Sequence, residues 1–182
     1  MNATQSLTVF LALCVAQMLL ASSSGAQDMM TTITTGGGEV RINNETNTLE
    51  MDDPFSDTPV LTLTPKAGHE VARALIVDGT SETIYEAQRI RYETENDAFL
   101  LEGDGLIERG ADRLVGPTKI EYLPDDGVLL ILGERENPAE IRMEKGERTF
   151  HSRAPGFQIE LETIHDLETV RTLKQIPGSD ES

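Results

Sequence analysis

The sequence predicts an all-β domain of stacked antiparallel hairpins. Two observations carry this. From Glu39 onward the chain is a succession of short runs alternating apolar and polar residues, bounded by Gly, Pro, Asn and Asp. No stretch holds apolar residues at i, i+3, i+4 and i+7 for long enough to make a helix. The first runs are Val40-Arg41-Ile42, Thr48-Leu49-Glu50-Met51, Val60-Leu61-Thr62-Leu63-Thr64 and Val71 to Val77, separated by turn-forming segments such as Asn43 to Asn47, Pro54 to Pro59 and Pro65 to Gly68.

The next two hairpins repeat one another. Ile90-Arg91-Tyr92, a turn, then Phe99-Leu100-Leu101-Glu102-Gly103 recurs as Ile120-Glu121-Tyr122, a turn, then Leu129-Leu130-Ile131-Leu132-Gly133. Ile90 to Ile120 and Gly103 to Gly133 are the same step of 30 residues, so the match holds register across the hairpin. A looser copy follows, with Phe157 to Leu161 and Thr169 to Leu173 as its strands. Units of this size cannot bury an apolar face alone and must stack on their neighbours. Alternation assigns an interior face to Ile90, Tyr92, Phe99, Leu101, Ile107, Ile120, Tyr122, Val128, Leu130, Leu132, Ile141, Met143, Ile159 and Leu161. Arg89, Arg91, Glu93, Lys119, Glu121, Glu140, Arg142 and Glu160 then face outward.

The chain has 182 residues, with 15 Lys and Arg against 32 Asp and Glu, and a formal charge of −17. That balance argues against nucleic acid as a partner, because phosphate contacts need a basic face. Residues 1–26 hold none of this charge. Leu7 to Ala21 is an apolar run followed by Ser22-Ser23-Ser24-Gly25-Ala26, the form of a secretory signal cleaved after Ala26. The segment before it has no Lys or Arg, so an uncleaved signal anchor is the alternative. Either way the domain is exported. Cys14, the single cysteine, falls in the leader and leaves the remainder without disulfides. Residues 27–38, ending in three glycines, read as a flexible lead-in, 39–176 as the β domain and 177–182 as a disordered tail.

No catalytic or metal-binding constellation stands out. His69, His151 and His165 are far apart with no metal-ligand spacing, and no cofactor motif is present. His165-Asp166 with Ser152 lacks a nucleophile elbow, and Asp104, Asp112, Asp125 and Asp126 sit where turns favour Asp.

Residues 82–144, from Glu82-Thr83-Ile84-Tyr85 through Ile141-Arg142-Met143-Glu144, resemble the LptA/OstA-like repeat of periplasmic lipopolysaccharide transport. In that repeat a strand ending in apolar-x-Tyr is followed by a turn and an apolar run closing in Gly. Residues 40–51 are similar to the strand pair that opens the family's domain. The resemblance implies an open, slightly twisted β jelly roll with a hydrophobic groove for the acyl chains of lipopolysaccharide, no enzymatic chemistry and no cofactor. The groove residues it implies are Ile90, Tyr92, Phe99, Leu101, Ile107, Ile120, Tyr122, Leu130, Leu132, Ile141, Met143, Ile159 and Leu161. It further implies self-association and docking onto LptC-like and LptD-like domains through edge strands, here Glu39 to Asn43 and Glu168 to Ile176. Arg89, Arg91, Arg109 and Arg113 are the candidate phosphate contacts at the rim. Two further readings stay open: a signal-anchored LptC-like subunit, and a self-associating envelope scaffold with a closed core.

The leader reading is tested by the intact mass of the exported protein, which should correspond to a chain beginning at Gln27. The full 20.0 kDa would establish an uncleaved anchor instead.

Overall fold

The computed structural model describes residues 29–35, 38–52, 59–94, 96–161 and 170–177. These form sixteen antiparallel strands in two eight-stranded sheets, with no helix among the described residues. One sheet, here called A, contains β1 (Met30–Thr35), β2 (Gly38–Asn43), β5 (Ala72–Asp78), β6 (Ser81–Ala87), β9 (Gly105–Arg109), β10 (Asp112–Gly116), β13 (Ala139–Lys145) and β14 (Arg148–Ala154), in that order. The other, sheet B, contains β3 (Asn47–Asp52), β4 (Val60–Pro65), β7 (Arg89–Glu93), β8 (Phe99–Glu102), β11 (Lys119–Leu123), β12 (Val128–Leu132), β15 (Gly156–Glu160) and β16 (Thr172–Ile176). The chain lays one hairpin in sheet A, the next in sheet B, and so on. The arrangement is an open jelly-roll-like stack rather than a barrel.

This order explains the 30-residue repeat. β7–β8 and β11–β12 are neighbours in sheet B, and the β9–β10 hairpin between them in sequence lies in sheet A. Four successive crossings between the sheets fall at Gln88, Gly103, Thr118 and Gly133, 15 residues apart, and the others fall at 44–46, 66–71 and Pro155. They share one side of the stack. There the backbone N–H of Gln88 donates to Gly103 O (2.8 Å), that of Gly103 to Thr118 O (3.1 Å), that of Thr118 to Leu132 O (3.0 Å) and that of Gly133 to Pro155 O (2.8 Å). These bonds tie successive crossings into a seam. The hairpin turns, such as 79–80 and 110–111 in sheet A and 124–127 in sheet B, lie on the opposite side, which we call the mouth.

Residue size grades from seam to mouth. On the inner face of sheet A the residues nearest the seam are Ala72, Ala87, Gly105, Gly116, Ala139 and Ala154, all buried and joined in register as Ala72–Ala87, Gly105–Gly116 and Ala139–Ala154. The next layer is Ile42, Ala74, Tyr85, Ile107, Leu114 and Ile141. Sheet B contributes Leu63, Ile90, Leu101, Ile120, Ile131 and Phe157 near the seam, then Leu61, Tyr92, Phe99, Tyr122, Leu129 and Ile159 nearer the mouth. Small side chains at the seam let the sheets approach. A Cβ added at Gly116 would lie 2.6 Å from Ile120 Cγ1 and 2.6 Å from Lys119 O. The cross-section is a wedge, narrow at the seam.

Both ends of the stack are tied across the sheets by side chains. At the N-terminal end Asn47, 2% exposed, accepts from Arg73 N (2.8 Å) and donates through Nδ2 to Asn43 O (2.8 Å) and Arg73 O (3.2 Å). At the other end Gln175 Nε2 donates to Ser152 Oγ (3.1 Å), joining β16 to β14.

Three expectations are corrected. Residues 30–35, within the expected flexible lead-in, form β1, paired with β2 from Met30–Asn43 to Thr35–Gly38. The β-branched Thr-Thr-Ile-Thr-Thr run favours a strand and Ile33 packs against the core, so ordered structure begins before Glu39. Because β1 covers it, Glu39 to Asn43 is not an edge. Leu130 and Leu132, with Val128, face outward and only Leu129 and Ile131 are buried. The run Val-Leu-Leu-Ile-Leu has no alternation of its own, and its phase is set by neighbours: Ile131 lies between Ile120 and Phe157, whereas Leu130 lies between Glu121 and Gln158. Residues 1–28, including the leader, and 178–182 of the expected tail lie outside the described residues.

Two substitutions test the wedge. Gly116→Val should cost roughly 1–3 kcal/mol by overpacking the seam. In β12, Ile131→Ala should cost about 2–5 kcal/mol while Leu130→Ala stays within about 1 kcal/mol. Urea denaturation measures both, and equal costs at 130 and 131 would contradict the register.

Candidate functional site

The inter-sheet space is the feature that a ligand-carrying role would use. Ten of the thirteen expected groove residues meet there in one cluster: Ile90, Tyr92, Phe99, Leu101, Ile107, Ile120, Tyr122, Ile141, Ile159 and Leu161 are each 6% exposed or less. Met143 is half-buried on the mouth side of the cluster. Leu130 and Leu132 lie on the outer face of sheet B. There, with Leu123, Gln158 and Glu160, Leu130 lines a depression of about 500 Å³. A second depression, about 660 Å³, lies over the hairpin ends of sheet A from Thr80 to Ile84 and Glu108 to Asp112. Neither depression lies between the sheets, whose inner faces are in contact.

Sequence reading missed half of the facing wall. Leu114 and Tyr85 from sheet A, and Leu61, Leu63, Leu129, Ile131 and Phe157 from sheet B, also belong to the cluster, with Val40, Ile42, Ile76 and five alanines. For Leu61 and Leu63 the signal was present, since Thr62 and Thr64 alternate with them. For the β12 pair it was not, because Ile120 and Tyr122 on one side and Phe157 and Ile159 on the other set the phase.

Toward the mouth the interior becomes aromatic and then polar. Tyr92, Phe99 and Tyr122 stand side by side on β7, β8 and β11, and Tyr85 from sheet A packs on Phe99 with centroids 4.9 Å apart; Phe99 and Tyr122 stack at 5.8 Å. All three tyrosines of the chain are therefore in one group. Tyr92 Oη donates a hydrogen bond to Asp97 Oδ1. Asp97 has a left-handed φ of 59°, a conformation Asp tolerates better than most residues, and this turns its carboxylate back over the strand pair. Burial holds the Tyr85 hydroxyl well above the usual phenol range; the Asp97 carboxylate pushes the same way and the Arg109 guanidinium opposes it.

Of the four candidate rim cations, only Arg109 is on an inner-facing position, in phase with Ile107. Arg89 pairs outward with Glu102 (3.6 Å) and Arg113 with Glu108 (3.4 Å), while Arg91 is exposed on the outer face. Other outer-face cations also pair across strands, Arg73 with Glu86 (3.4 Å) and Lys174 with Glu160 (3.3 Å). Glu140 takes both Arg153 (2.7 Å) and His151 (3.0 Å). Partial burial would raise the Glu140 carboxyl, but those two hydrogen bonds outweigh it and hold it below its ordinary value.

The free edges are β1 and β14 in sheet A, β3 and β16 in sheet B. Residues 172–176 of the expected C-terminal edge are thus an edge strand, while 168–169 lie outside the described residues. Among the described residues no three His, Cys, Asp or Glu side chains are grouped to hold a metal ion. Comparison with protein-family models, with curated proteins and with solved structures finds no match.

The Tyr85 environment has a pH consequence. Its folded pKa is raised, so its contribution to stability is complete below the unfolded value of about 10 and is lost as pH rises above it. Urea unfolding between pH 9 and 11 should show stability falling more steeply in the wild type than in Tyr85→Phe. Equal slopes would contradict the burial of this hydroxyl.

Proposed function

We propose that this chain is a non-enzymatic, periplasmic carrier of the LptA/OstA-like kind, which holds the acyl chains of lipopolysaccharide between its two sheets. The observation that supports the reading is the one-sided connectivity: every described crossing lies along the seam, and no described backbone connection joins the sheets at the mouth. Among the described residues, parting the mouth breaks side-chain contacts only. The faces that would separate are lined by Leu, Ile, Phe and Tyr, and each acyl CH₂ taken from water between them returns about 0.8 kcal/mol. Chain contacts thereby offset the sheet contacts that are lost. The free edges of the stack are where further β domains would add by strand pairing, whether a second copy or LptC-like and LptD-like domains.

The closed packing of the inner faces favours a second reading, a ligand-free scaffold that self-associates through the same edges. Native mass spectrometry of the exported protein separates the two, with lipopolysaccharide as ligand and phospholipid as control. Selective retention of lipopolysaccharide is the result expected. Well-folded protein that retains no lipid would overturn the carrier reading in favour of the scaffold.

A further inference from the structure

On the inner faces of both sheets an apolar row ends in a polar residue at the same end of the stack. In sheet A the row Ile107, Leu114, Ile141 is continued on β14 by Ser152, the register partner of Ile141. In sheet B the row Ile120, Ile131, Phe157 is continued on β16 by Gln175, the register partner of Phe157. Ile141 and Phe157 are fully buried, whereas Ser152 is half-buried and Gln175 exposed. The two polar side chains meet across the inter-sheet space, Gln175 Nε2 donating to Ser152 Oγ at 3.1 Å.

Strand β16 is otherwise lightly held. None of its five residues is buried, and of these only Leu173 packs against the core. The opposite end of the stack is closed differently. There Asn47 is 2% exposed and its side chain bonds both Arg73 N (2.8 Å) and Arg73 O (3.2 Å), beside the seam. A neutral hydrogen bond at the edge of water exchanges for bonds to solvent when it breaks, so its net hold is small. Two apolar side chains in the same place would instead lose their burial on opening.

We propose that Ser152 and Gln175 form a latch that closes the inter-sheet space at its C-terminal end, with β16 as the strap it fastens. Breaking this bond frees the end of sheet B from sheet A, and the mouth parts from here toward the Asn47 end. The latch sets how much of the protein stands ready to admit a ligand, since apparent affinity falls with the fraction that is competent to bind. The inference rests on the carrier reading above and adds to it the place and the control of opening.

The full chain is compared with its Ser152→Ala, Gln175→Ala, doubly substituted and Ser152→Thr variants. Affinity is measured by titration with dansylaminoundecanoic acid, following dansyl emission, and hydrogen exchange over residues 172–176 is measured without ligand. Each single Ala variant should bind the probe about two- to tenfold more tightly than the wild type, the effect of one net hydrogen bond on the opening equilibrium. The double variant should bind no more tightly than either single one, because both remove the same bond. Ser152→Thr keeps the hydroxyl and should behave as the wild type. Exchange of the β16 amides should quicken in the Ala variants while that of β12 stays unchanged. Tighter binding is a result that a loss of folding cannot imitate. Ala variants that bind as the wild type does or more weakly, gains that add in the double variant, or β16 exchange unmoved by either substitution would overturn the latch and leave the carrier reading in place. Failure of the wild type and all variants to take up the probe would overturn the carrier reading and this inference together.

Discussion

The wedge depends on the ladder of Ala and Gly along the seam. Two β-sheets packed through ordinary core side chains stand about 10 Å apart, and a chain crossing between them in one or two residues cannot span that distance. At Gln88, and again at Pro117-Thr118, the crossing is that short. Gly105 and Gly116 remove the side chains that would hold the sheets apart, and Ile120 fills the space against both. At these two places the polypeptide can therefore step from sheet to sheet without a loop. Crossings so tight cannot be distributed over both sides of the sandwich, so the opposite side is left with hairpin turns only.

Everything nearer the mouth follows from that narrowing. Aliphatic side chains and the rings of Phe99 and the three tyrosines fill the interior, and Asp97 and Arg109 are half-buried on its mouth side. The edges are managed differently. β14 carries charge on its outer face, in His151 and Arg153, and β16 is tied to β14 through Gln175 and Ser152. Such devices restrain indiscriminate pairing while leaving backbone groups for a specific strand to meet. The carrier proposed above would open along one line and extend at its ends.

Much of the fold was legible because period-2 alternation and a 30-residue echo are local signals. Ile90, Leu101 and Ile120 could be assigned to one face from their own neighbours. What escaped was relational. The repeat showed only the sheet B hairpins, because those in sheet A, Gly105 to Gly116 for example, end in small residues that carry no hydropathy signal. Leu130 and Ile131 are equally apolar, and only Glu121 and Phe157 on adjacent strands decide which turns inward. Met30 to Thr35 reads as a linker because of the glycines that follow it, although its own β-branched run is a strand signal. The mouth cluster was out of reach: Arg109 and Tyr85 come together only through the register of β6 on β9, and the left-handed backbone at Asp97 is not a property that composition reveals.

The central claim is that the sheets part at the mouth while the seam holds. Pulsed dipolar spectroscopy tests it directly, with Cys14 replaced by Ser and spin labels at two pairs of exposed sites: Ala111 and Asp125 on facing turns at the mouth, and Asp104 and Thr118 on the seam. Adding lipopolysaccharide should lengthen the Ala111–Asp125 distance and leave the Asp104–Thr118 distance unchanged. Bound lipid with both distances unchanged, or both lengthened, would contradict the account.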